Sequence, residues 1–176
     1  MKNIRNITVS AIILAISFIF LYMTSIMPSA KLACLCIATA GICIIILETN
    51  LKMGIIAAVA MAVFASFFVH DKMIALLTVM FFSYYPVIKL LAERRKIIIE
   101  WIIKVLYFIL ITIAAFFVFK ATKLLPEMVY EYINKPFILI GGGAAVVLVQ
   151  CIFDIALSMM ISFYMSRIMP KTNKIR

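Results

Sequence analysis

Charge is scarce in this chain. Of its 176 residues, 14% are Asp, Glu, Lys or Arg, against about a quarter in a soluble domain. Apolar residues make up 67%, and the mean hydropathy is +1.22. Such a chain cannot hide its apolar surface from water, so its solvent must be lipid. Histidine occurs once, at His70, and a lone histidine is no metal site. The chain lacks G-x-S-x-G, H-E-x-x-H, a P-loop and any run of paired aspartates for a metal–diphosphate. An enzyme is not expected, nor are a metal or a cofactor. With no ATP site, active transport would need energy from a partner or an ion gradient.

What is present is length of apolar sequence. Six segments stand out: 7–27, 32–47, 53–69, 73–88, 97–119 and 137–165. A helix needs about 20 residues to cross a bilayer. The second and fourth reach that only by borrowing flanks such as Ala30, Lys31, Lys89 and Leu90. There Lys89 is expected to snorkel to the cytoplasm. The last is long enough to tilt or project. The first run exceeds the core of a signal peptide, about 7–15 residues, and reads as a retained helix. The expected fold is an all-α integral membrane protein: one domain, six transmembrane helices, both termini cytoplasmic. The loop at 120–136 carries apolar residues with helical spacing. It reads as a short amphipathic segment near 124–133 on the outer face.

The net charge of +10 raises nucleic-acid binding, but the basic residues sit between apolar runs and act as topology signals. With the N-terminus inside, Lys2, Arg5, Lys52, Lys89, Arg94, Arg95, Lys96, Arg167, Lys171, Lys174 and Arg176 face the cytoplasm. Only Lys31, Lys72, Lys120, Lys123 and Lys135 face outward. That asymmetry orients the chain in a plasma membrane.

Three ionisable groups fall inside spans, where each needs a partner or a task. Glu100 and Lys104 are spaced i,i+4 in the favourable order. Asp154 lies deeper, with Gln150 one turn away, and Lys104 is its best partner. Glu100, Lys104 and Asp154 are therefore the expected structural ion pair. A polar ligand contact at Asp154 is the functional alternative. Cys34, Cys36, Cys43 and Cys151 lie in apolar runs and read as small buried hydrophobes. "GGGAA" at 141–145 lacks the strand and the Lys-Ser/Thr of a phosphate loop, so close helix packing is expected. Ala11-x-x-x-Ala15 and Ala58-x-x-x-Ala62 are small-residue contacts of the same kind. In "MFFSYYPVIK" at 80–89, Pro86 is expected to kink the inner end of the fourth span. Tyr84 alone there is placed to line a pocket floor.

Two stretches carry a family resemblance. "KNIRNITVSAIILA" holds a short basic start and then Ala11 and Ala15. "LETNLKMGIIAAVAMAVFAS" holds a tight turn and a Gly- and Ala-rich third helix. With the six-helix layout, these resemble the substrate-binding S component of an energy-coupling factor (ECF) transporter. The resemblance implies uptake of a small micronutrient such as a vitamin. It implies a transmembrane coupling protein and two cytoplasmic ATPases as partners, with Ala11 and Ala15 forming the docking face. Substrate-binding candidates are Lys31, Tyr84, Gln150 and Asp154. The chain departs from the family in its short first outer loop, Pro28–Lys31, and in its few pocket polar groups. It also lacks the His-containing extension of nickel and cobalt members. The alternative is a non-transporting scaffold resembling the rod-shape MreD family, which the poverty of polar residues in the spans favours.

Overall fold

The computed structural model describes residues 2–27, 29–93, 96–122 and 136–167. The expected amphipathic segment near 124–133 lies outside them. Helices form the described chain: α1 Lys2–Ile26, α2 Lys31–Glu48, α3 Leu51–Phe68, α4 Lys72–Leu77, a π-helical segment Thr78–Phe82, α5 Tyr85–Ala92, α6 Ile97–Thr122 and α7 Pro136–Arg167. No strand occurs among the described residues. Six stretches are long and apolar enough to cross a membrane: Ile4–Ile26, Lys31–Glu48, Leu51–Phe68, Lys72–Ala92, Ile97–Thr122 and Gly141–Arg167. This is consistent with a multi-pass membrane protein. The two short runs do recruit their flanks: Lys31 opens α2, and the fourth stretch runs on through Leu90 to Ala92.

Packing groups the chain into two compact units, Met1–Leu91 with Ile155–Arg176, and Ala92–Asp154.

In the first unit, α1, α2 and α3 pack on one another, and α3 continues onto α4 and the π-segment. α2 is the central element, burying Leu35, Ala38, Thr39, Ile42, Cys43, Ile45 and Ile46. α3 turns its small residues inward: Gly54, Ala57, Ala58, Ala62 and Ala65 are buried. Its large ones, Ile55, Ile56, Val59, Val63 and Phe67, are exposed. Lipid removes the hydrophobic drive for burying bulk, so close backbone approach decides which face turns inward. Two glycines mark the tightest approaches. A Cβ at Gly41 would collide with Ser17 Oγ of α1, and one at Gly54 with Ile46 of α2. Phe18, Phe64 and Phe68 stack at 4.2 and 4.5 Å between ring centres.

Hydroxyls within these helices mostly bond their own backbone. Ser17, Thr39, Ser66 and Thr78 each donate to the carbonyl four residues back, at 2.6–3.0 Å. That satisfies a polar side chain without water. Asn50 caps α3 by accepting from Met53 N–H at 3.0 Å, and Asp71 caps α4 by accepting from Met73 and Ile74. Tyr164 of α7 donates to Glu48 at the end of α2, at 2.9 Å.

In the second unit, α6 is exposed along most of its length. Its buried residues are Lys104, Phe108 and Phe119.

Candidate functional site

Lys104 sits on the second turn of α6, and its side chain is 4% exposed. An ammonium has three N–H bonds to place and cannot leave them unmade in a dry environment. Glu100, one turn earlier on α6, accepts at 2.6 Å. Asp154 of α7 accepts at 2.9 Å with its side chain only 8% exposed. Glu93, just beyond α5, lies 3.7 Å from the same nitrogen. Charge-assisted bonds of this length are the strong kind, and they tie α6 to α7 inside the second unit. The three expected members thus come together around one nitrogen. Glu93 is a fourth that sequence reasoning missed. It sits beside Arg94, Arg95 and Lys96 in "AERRK", where a lone acid reads as part of a basic loop. No group of three or more His, Cys, Asp or Glu arranged to hold a metal occurs among the described residues.

The other substrate candidates have separate surroundings. Gln150, one turn from Asp154, lies 3.5 Å from Thr112 Oγ1, a marginal hydrogen bond. Lys31 pairs with Asp71 at 2.9 Å at the start of α4, both about one-third exposed. The Lys31 ammonium, with help from the Met73 and Ile74 amides, holds the Asp71 carboxyl below the usual carboxylate range. Tyr84 stands further along that stretch, past the π-segment. The neighbouring His70 is exposed, and its backbone N–H donates to Ser25 Oγ.

Three expectations fail in detail. Tyr84 is 40% exposed, whereas Tyr85 is fully buried and stacks on Phe81 at 5.1 Å. Tyr85 and Lys89 follow Ile74, Thr78 and Phe81 at regular helical spacing, on the face that is buried, and Tyr84 stands off that face. Lys89 does not snorkel: it is fully buried and donates to Ser158 Oγ of α7 at 2.6 Å. The glycines fail as well, because a Cβ on Gly141, Gly142 or Gly143 would meet nothing within 4 Å. They make no close helix contact among the described residues.

The two small-residue motifs part company. Ala58 and Ala62 are buried against neighbouring helices. Ala11 and Ala15 are exposed, on the α1 face that also shows Ile4, Ile7, Ile19, Tyr22 and Ile26. α1 buries instead Ser10, Ser17, Leu21 and Thr24. Of the four cysteines, Cys34 and Cys43 are buried and Cys36 and Cys151 half-buried. Cys36 Sγ lies 3.7 Å from Met160 Sδ.

Comparison with family models, with curated proteins and with solved structures found no match.

Proposed function

We propose that this chain is the substrate-capture subunit of an ECF-type uptake transporter in the plasma membrane, with both termini in the cytoplasm. In this reading it takes up a small micronutrient such as a vitamin and is energised by a coupling protein and two ATPases. One observation carries the proposal: Ala11 and Ala15 stay exposed, although the chain uses its other Ala-x-x-x-Ala internally. Lipid packs as well against large side chains as small ones. A small-residue notch on an outward face is instead what a second protein's helix requires for close approach. Tryptophan at Ala11 or Ala15 should abolish co-purification of the coupling protein and ATPases while leaving the monomer's melting temperature unchanged. Unchanged assembly contradicts the proposal.

The second reading is a membrane scaffold resembling the MreD family. It is favoured by the ion pairs that Lys31 and Asp154 make within the chain, which compete with any substrate for those groups. Co-purification with cell-wall machinery, and without ATPases, supports it over transport.

A further inference from the structure

The stretch Lys72–Ala92 is not one continuous helix. α4 lasts six residues, the π-segment follows, Ser83 and Tyr84 form a turn, and α5 begins at Tyr85. Ser83 N–H donates to Thr78 O, five residues back, at 2.9 Å. Val87 and Ile88 N–H groups both reach Tyr84 O, at 3.1 and 3.3 Å. Pro86 has no N–H to continue the ladder. Sharp helix breaks arise at proline or at π-bulges, and here both occur within nine residues. Mid-helix π-segments are frequently found at functional sites.

Each side of the break is anchored. Asp71 caps α4 and pairs with Lys31. Lys89 fastens α5 to Ser158 of α7, while the Tyr85–Phe81 stack spans the break and is the contact a swing must loosen. Between the anchors lies Ser83, fully buried, with an Oγ that has no hydrogen-bond partner. A buried hydroxyl with its bond unmade disfavours the conformation that buries it. The turn therefore carries a built-in bias towards another arrangement, and its backbone has already given up the regular ladder that would resist one.

We infer that Ser83–Pro86 is a hinge about which α5 swings relative to α4. Lys89 transmits the swing to Ser158 and the C-terminal part of α7. Packing within the first unit carries the inference, which stands apart from the transport reading.

The test uses the full chain in lipid nanodiscs. Spin labels go on genetically encoded residues at the exposed positions Met73 and Leu91. The wild-type hinge gives a broad or two-peaked distance distribution, and Pro86→Ala narrows it to one peak. A single narrow distribution in the wild type overturns the inference. Hydrogen exchange supplies a second readout. Amides at 83–85 and 87–88 should exchange at least about tenfold faster than those at 57–65 of α3, and Pro86→Ala should slow them by about tenfold. Protection equal to that of α3 overturns the hinge. Should Pro86→Ala fail to fold, Ser83→Ala serves in its place. It should slow exchange and leave the melting temperature equal or higher. A fall of several degrees means the hydroxyl has a partner in the folded protein, and the strained turn is wrong.

Discussion

Replacing Lys104 with methionine keeps most of the side-chain length and removes the charge that three carboxylates surround. The Nζ distances are 2.6 Å to Glu100, 2.9 Å to Asp154 and 3.7 Å to Glu93. Unit charges 4 Å apart attract by roughly 4 kcal/mol at an effective dielectric near 20. Much of that is offset by the cost of drying the ions. What remains on deletion is the penalty of an acid left behind in the interior, about 3–5 kcal/mol for a buried pair. Hydrogen bonds within membranes couple more weakly, averaging about 0.6 kcal/mol, because the unfolded chain in lipid also finds partners. An intermediate loss of about 3 kcal/mol is therefore expected for Lys104→Met. The assay is reversible unfolding in mixed micelles, arranged as a double-mutant cycle with Asp154→Asn. Lys104→Met should destabilise more than Asp154→Asn, and the double variant should lose at least ~1 kcal/mol less than the sum. Additive losses, or a Lys104→Met stability within about 0.5 kcal/mol of wild type, refute the clamp.

Other substitutions probe the remaining contacts. Gly41→Ala should destabilise by about 1–3 kcal/mol because its Cβ meets Ser17 Oγ, and Ser17→Ala should recover part of the loss; both are read as melting temperature. Gly142→Ala, which points into open space, should be neutral or stabilising by up to about 1 kcal/mol through helix propensity alone. The Lys31–Asp71 pair stabilises the fold above the ordinary aspartate pKa. Because the folded-state value is lowered, that contribution disappears as pH falls through the folded value. Both groups are about one-third exposed and screened by solvent, so a pH titration of stability should show a loss of at most about 1 kcal/mol below pH ~4. Asp71→Asn, which still caps α4, should abolish this pH dependence while costing less than Asp71→Ala.

The six helices were legible because hydropathy and length are direct consequences of the lipid solvent. Span ends shifted by a few residues where caps act. Asn50 and Asp71 are cap residues standing just before apolar runs, a sign the sequence does carry. The partnership of Lys104 and Asp154 followed from elimination, since few ionisable groups enter the spans. Glu93 did not, because its role depends on how the chain turns between α5 and α6. The π-segment was invisible: "TVMFF" has no composition that distinguishes it from α-helix. Tyr85 and Lys89 nonetheless keep the 3–4-residue spacing of the buried Ile74, Thr78 and Phe81, so their burial was legible from periodicity along the stretch. Which Ala-x-x-x-Ala faces inward is likewise a matter of packing, and both motifs look alike as strings.

Native mass spectrometry of the chain ejected directly from its membranes reads partners and ligand together. The ECF proposal predicts masses for a coupling protein and two ATPases with this chain. It also predicts a bound small molecule, and loss of the assembly on Ala11→Trp. The chain appearing alone, or only with cell-wall proteins, would contradict it.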